Sequence, residues 1–193
     1  MKRLAIITVG PTHSGKTSFA KALEDQLPNS FVMDQDNHAS FINAHYQKLQ
    51  PVVGTNTLKH AVSLLIVNYA KENTDLHLIV SNANRSRKGR RYLLEDVFPS
   101  EAYHRILVYF DIPEEVLLKR VMNSERDTTI FRSAASFHEV LKRQSEESKN
   151  NDDITAPTHE EADDLFVVKE LHDVETTVKK IVSMAEVMKG KKE

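Results

Sequence analysis

Cysteine is absent from the chain, which excludes disulfides, thiolate catalysis and zinc sites of the Cys type. The nine histidines never fall at His-x-x-x-His spacing beside a glutamate, so the pattern of a zinc hydrolase is missing as well. An excess of one charge is also lacking. Lys and Arg number 26 against 28 Asp and Glu, a net charge of −2. That balance gives no global attraction to nucleic acid or to anionic membranes, and any nucleic-acid contact needs a local patch. No apolar run is long enough to span a bilayer. The opening "MKRLAIITVG" has the basic tip and apolar run of a signal peptide, but the run covers only Leu4 to Val9 and leads straight into a loop. It is read as a first strand, and the protein is expected in the cytoplasm.

Glycine is scarce too, with five in 193 residues, and two of them stand at positions 10 and 15. They complete Gly-x-x-x-x-Gly-Lys-Thr across Gly10, Pro11, Thr12, His13, Ser14, Gly15, Lys16 and Thr17, with Ser18 following. Such glycines let backbone N–H groups turn inward around a diphosphate. Lys16 adds charge at the β- and γ-phosphates, and the Thr17 hydroxyl can ligate Mg²⁺. The next helix offers its N-terminus to the same anion. The expected ligands are therefore ATP and Mg²⁺.

The rest of the chain supports that context. "LAIITV" (4–9), "LHLIVS" (76–81) and "RILVYF" (105–110) read as buried strands, with "FVM" (31–33) and "LFVV" (165–168) as shorter ones. Helical spacing runs from Lys16 to Leu27, through 56–73, from Pro113, through "ASFHEVLKRQSEES" and through "VETTVKKIVSMAEVMK". The 56–73 segment is apolar nearly all round and reads as a buried helix, with a dimer surface as the other option. Alternating strands and helices imply an α/β fold with a parallel sheet covered on both faces. The length and the lack of a linker fit one domain over 1–193, and Ser145 to Ala162 reads as the longest surface loop.

Several kinds of phosphate-loop protein are excluded. Neither Asp-x-x-Gly after a strand nor Asn-Lys-x-Asp occurs, which removes the GTPases. No strand ends in the Asp-Glu of a motor ATPase; "LVYFD" ends in Asp111, which is either a magnesium carboxylate or the opening residue of the helix at Pro113.

Three further segments point to a kinase. In "MDQDNH" (33–38), Asp34 and Asp36 lie two apart after the second strand, so an extended chain points both the same way. One carboxylate can accept an acceptor hydroxyl's proton and the other can serve magnesium waters. "RVMNSERDTTIFR" sets Arg120, Arg126 and Arg132 between two helices, as a lid over about 120–136 that neutralises the transferring phosphoryl group. "NRSRKGRR" (84–91) is strongly basic. If Ser86 caps a helix, those cations crowd its positive end, an arrangement that an anion would offset. A substrate phosphate, a nucleic-acid backbone and a merely solvated face all remain open.

With these features the chain resembles the P-loop kinases related to the bacteriophage polynucleotide 5′-hydroxyl kinase, a group that includes zeta-toxin-like and gluconate-kinase-like proteins. The resemblance rests on "KRLAIITVGPTHSGKTSFA", "DQD", "VSNANRSRKGRR" and "FDIPEEVLLKRVMNSER", about residues 2 to 132, with a looser match over 143–168. It implies a nucleoside-monophosphate-kinase-like P-loop fold, with five parallel strands in the order 2-3-1-4-5. It also implies Asp36 as the catalytic base, Lys16 and Thr17 as phosphate and magnesium contacts, and Arg126 as the lid arginine over ATP. Asn82 and Asn84 match a polar motif that supports the site. Substrate contacts are expected from Asp34, His38, Asn84, Arg85 and Arg132. The polynucleotide kinase carries a substrate-gripping arginine where this chain has Ala39; His38 or the Arg85–Arg91 cluster can compensate. The acceptor is thus a polynucleotide 5′-hydroxyl or a small molecule such as a sugar, nucleoside, antibiotic or sugar nucleotide. The alternative to a kinase is a slow ATPase that signals through its lid.

Overall fold

A computed structural model describes residues 2–190. Its centre is a five-stranded sheet, all parallel, in the order β2-β3-β1-β4-β5. The strands are β1 (Arg3–Val9), β2 (Ser30–Asp34), β3 (His77–Ser81), β4 (Tyr103–Phe110) and β5 (Asp164–Val168). The central β1 is buried at every position from Leu4 to Val9, as a strand covered on both faces must be. Its side chains alternate. Leu4 and Ile6 join Phe19, Leu23, Val178 and Ile181 on one face, while Ala5, Ile7 and Val9 join Met33, Val67 and Val97 on the other.

Helices α1 (Lys16–Gln26) and α7 (Leu171–Gly190) cover the first face. The second is covered by α3 (Thr57–Asn73) and by α4 (Arg87–Tyr92), which continues into a short π-helical turn. α2 (Gln35–His45) lies against α3, and α5 (Glu114–Met122) against α6 (Phe137–Asn150). Leu117, Val121, Phe137 and Leu141 form a separate small core between the last two. α5 opens with Glu114 and Glu115 and closes with Lys119 and Arg120, matching charge to both ends of the helix dipole. Because all strands are parallel, the segments after β1, β2, β3 and β5 reach one edge of the sheet, where open α/β sheets bind ligands.

The expected strands form, each within two residues of its expected ends. Three expectations need correction. Residues 35–45 are helical, so the chain does not stay extended from Asp34 to Asp36. Ser145 to Asn150 belong to α6, which leaves a shorter loop before β5. And α3 buries only Ser63, Val67 and Ala70, while Leu65 and Tyr69 are exposed. Its apolar composition exceeds what one packed face can hide.

Candidate phosphotransfer site

A cleft of about 1020 Å³ opens above the C-terminal edge of the sheet. Its floor is the loop between β1 and α1. The loop turns through Gly10 at φ +152°, His13 at φ +59° and Gly15 at φ +106°. A Cβ on Gly10 would stand 3.0 Å from Phe110 Cβ and 3.2 Å from the Phe110 carbonyl oxygen. Glycine is thus required there by both conformation and space. Lys16 Nζ folds back to donate to the Pro11 carbonyl and, at 3.2 Å, to Ser14 Oγ. Burial lowers the Lys16 pKa to about 8; Asp36 and Asp34 oppose that shift, and Arg126 and Arg85 add to it. An amine poorly served by its own chain gains from a bound polyanion.

Thr17 Oγ1 lies 3.4 Å from Asp34 Oδ2. Asp34 also accepts the Asp36 amide at 2.9 Å and caps α2. Burial raises its carboxyl pKa, against the pull of the Asp36 amide and the Thr17 hydroxyl. A hydroxyl and a carboxylate oxygen side by side are hard donors of the kind magnesium takes, together with waters and phosphate oxygens. Among the described residues no group of three or more His, Cys, Asp and Glu could hold a metal by itself. The position of Asp34 beside Thr17 suits the magnesium option that the sequence left open better than the expected substrate contact.

Asp36, on the first turn of α2, meets the lid. Arg126 Nη2 donates to Asp36 Oδ2 at 3.1 Å, and both side chains are about 42% exposed. The Arg126 guanidinium lies 4.9 Å from the Phe137 ring centroid. His13 packs on the same ring, edge-on at 4.7 Å. Its two nitrogens bridge Thr12 Oγ1 at 3.0 Å and lid residue Ser124 Oγ at 2.7 Å. Burial lowers the His13 pKa to about 4, with Arg126, Lys16 and Arg120 adding to the effect, so the ring is neutral at physiological pH. His13, a bulky residue in an inner loop position, thereby ties the phosphate loop to the lid.

The remaining expected contacts divide. Arg120 lines the cleft and donates to the His13 and Ser14 carbonyls, propping the loop from below. Arg132 lines the cleft and donates to the Pro51 and Gly54 carbonyls at 3.0 and 2.6 Å, joining the lid to the segment before α3. Asn43 of α2 donates to the Thr129 and Phe131 carbonyls, and Gln50 and Asn56 extend that amide chain to the cap of α3. Asn82 faces the cleft and donates to Gln35 at 2.8 Å.

Three residues expected as substrate contacts do not line this cleft. His38 does not line the cleft; its Nδ1 lies 2.8 Å from Ser63 Oγ, between α2 and α3. Asn84 holds the Thr8 carbonyl at 2.9 Å from a left-handed backbone conformation, φ +44°. Arg85 lies on the other side of the loop, bonded to Glu147 at 3.1 Å, to the Gln144 carbonyl and to Ser148. The anion expected near the basic segment is part of the chain itself. Ser86 caps α4, and Asp153 accepts both from the Ser86 hydroxyl and from the Lys88 amide. Arg90, fully buried, pairs with Glu161 at 2.7 Å. Internal carboxylates thus answer Arg85 and Arg90, while Arg87, Lys88 and Arg91 are exposed. Asp111 does not cap α5, whose cap position is Pro113; it stands half-exposed, 3.9 Å from Lys169.

Sequence reasoning missed Lys59, Gln144 and Phe137. Gln144 Oε1 accepts the Thr12 amide at 2.8 Å, and Lys59 lines the cleft from α3. Each comes from a helix whose facing depends on packing, and the sequence carries no local signal for it.

The fold and the site define a P-loop NTPase of the small-kinase architecture. The family model AAA_33, described as an AAA domain, matches residues 6–149, and the chain belongs to that family. No curated protein sequence matches it. Among solved structures it is similar to the APS kinase of Mycobacterium tuberculosis, solved with AMPPNP and APS (TM-score 0.58, 14% identity, 96% of this chain and 99% of that one). It is also similar to a gluconokinase from Sinorhizobium meliloti (0.56, 14%, 97% and 99%) and to shikimate kinase from Bacteroides thetaiotaomicron (0.56, 12%, 95% and 98%). At these identities the likeness establishes the fold. No helix of the described residues is long and apolar enough to cross a membrane.

Proposed function

We propose that the protein is an Mg·ATP-dependent kinase, a single domain that transfers the γ-phosphoryl group to the hydroxyl of a small molecule. The observation that carries this reading is the Asp36–Arg126 pair at 3.1 Å in the same cleft as Lys16 and Thr17. A carboxylate and a mobile-side cation facing a phosphate loop are the two groups that in-line phosphoryl transfer needs from a protein. Gly10 to Ser18 hold the triphosphate, with Lys16 at its charged end. Thr17 and Asp34 would hold magnesium, which would supply charge neutralisation at the phosphates. When nucleotide arrives, Arg126 leaves Asp36 for the phosphates, and Asp36 is then free to take the acceptor hydroxyl's proton.

A small acceptor is favoured over a polynucleotide for two reasons. Ala39, buried in the cleft wall, offers no grip on a phosphate backbone. Arg85 and Arg90 are already engaged within the chain. The test is phosphotransfer from Mg·ATP into two pools, a 5′-hydroxyl oligonucleotide and a metabolite mixture, with products identified by mass. Phosphate on a metabolite supports the reading. Phosphate on the oligonucleotide overturns the choice of acceptor, and phosphate on neither overturns the kinase assignment.

A further inference from the structure

Lys59 is a cation of the cleft that this reading leaves unused. It stands on the first turn of α3, half-buried, and its amine makes no hydrogen bond or ion pair among the described residues. Burial lowers its pKa, Asp36 and Asp34 oppose that shift, and Arg132 adds to it. Those two carboxylates are already engaged, Asp36 by Arg126 and Asp34 by Thr17 and the Asp36 amide. Arg132, on the lid, also lines the cleft; its guanidinium donates to the carbonyls of Pro51 and Gly54 and makes no ion pair among the described residues. The Asp34 and Asp36 carboxylates that offset the Lys59 charge also face Lys16 and Arg126, so cations outnumber carboxylates in this part of the cleft, an arrangement that costs free energy in a partly desolvated site unless a ligand supplies a further anion.

We infer that Lys59 and Arg132 form an oxyanion subsite, and that the acceptor carries a carboxylate, sulfate or phosphate beside the hydroxyl that is phosphorylated. Only the word acceptor rests on the kinase reading; the anion site itself does not. The subsite is distinct from the phosphate loop, because the charges that face it come from α3 and the distal lid. It explains why a lysine is kept half-buried in a cleft that Arg132 also lines. It also makes Lys59 a residue of acceptor choice, since a neutral acceptor would leave its charge unmatched.

The test is calorimetric titration of inorganic sulfate, and separately of inorganic phosphate, into the full chain saturated with Mg·AMPPNP, so that the phosphate loop is occupied. One site per chain is expected. Lys59→Met should weaken it at least tenfold, Lys59→Arg should largely restore it, and AMPPNP affinity in both variants reports that the fold is intact. Unchanged sulfate affinity in Lys59→Met, or no anion binding to the wild-type complex, overturns the inference. A second arm compares ATP-dependent phosphorylation of glycerate and glycerol as a matched acid and neutral pair. Equal use of the two would also overturn it. Lys59-dependent sulfate binding without phosphorylation of any acceptor would leave the subsite standing and remove the kinase reading.

Discussion

Arg126 Nη2 sits 3.1 Å from Asp36 Oδ2, an ion pair between the α5–α6 segment and the α2 carboxylate. Both groups are partly exposed, and a pair of that kind contributes only about 0–1 kcal/mol to stability. On the proposed kinase reading its significance is functional, because Arg126 would leave it for the phosphates of a bound nucleotide and free Asp36 as proton acceptor. Arg126→Ala should therefore leave the melting temperature almost unchanged. It should lower turnover by roughly 10²–10⁴-fold, since the arginine stabilises charge only as transfer proceeds. Thermal unfolding beside steady-state kinetics checks both halves.

Lys16 titrates far below an ordinary lysine, at about 8. A bound triphosphate favours its charged form and raises that value. Below pH 8 the free site is already protonated, and ATP affinity should be flat on this account. Above pH 8 binding must take up a proton, so affinity should fall, by up to about tenfold per pH unit until the pKa of the complex is reached. Titrations in buffers of different ionisation enthalpy should show net proton uptake near pH 8 to 9, and none in Lys16→Met.

His13 and Ser124 join the phosphate loop to the lid across 2.7 Å. His13→Ala and Ser124→Ala should each loosen the lid and raise the KM for ATP. Because they remove the same bond, their effects should combine with a coupling of roughly 0.5–1.5 kcal/mol instead of adding. Limited proteolysis within residues 123–136 should be faster in either variant.

Gly10 and Gly15 both have positive φ, but only Gly10 is crowded, with Phe110 Cβ at 3.0 Å against Phe110 Cε1 at 3.8 Å for Gly15. Gly10→Ala should cost about 2–4 kcal/mol, combining backbone strain with a clash against β4. Gly15→Ala should cost less, because it adds strain alone. Chemical denaturation of the two variants measures the difference.

His77 is buried, receives the Leu4 amide on Nδ1 and has no partner for Nε2 among the described residues. Burial lowers its pKa from 6.5 to about 4, with Lys189 and Arg3 adding to the shift. The unfolded chain thus takes up the proton first. Stability from this group is complete above pH 6.5 and declines as pH falls toward 4, by up to about 1.4 kcal/mol per unit. His77→Gln should flatten the acid limb of the stability curve.

What was legible in the sequence follows from how local each signal is. The phosphate loop could be read because its glycines, lysine and threonine act within one turn of chain, and β1 because a doubly covered strand needs an unbroken apolar run. Arg126 and Arg132 lie between two helices as expected, whereas Arg120 belongs to the last turn of α5 and not to the connection. Asp34 and Asp36 were singled out in the sequence, but how they are held was not legible, since it depends on α2 starting at Gln35 with Asp34 as its cap. His38, Asn84 and Arg85 were misplaced because helix facing and long-range pairs such as Arg85 with Glu147 decide where a polar side chain points. Lys59 and Gln144 became visible only when α3 and α6 were packed beside the loop.

The central claim is that Asp36 accepts the proton of a hydroxyl that receives phosphate from ATP. Single-turnover phosphotransfer by Asp36→Asn, with Mg·ATP affinity measured on the same preparation, tests it most directly. The account predicts ATP affinity within a few-fold of the wild type and transfer slowed by about 10²–10⁴-fold. Transfer at the wild-type rate in Asp36→Asn would contradict it.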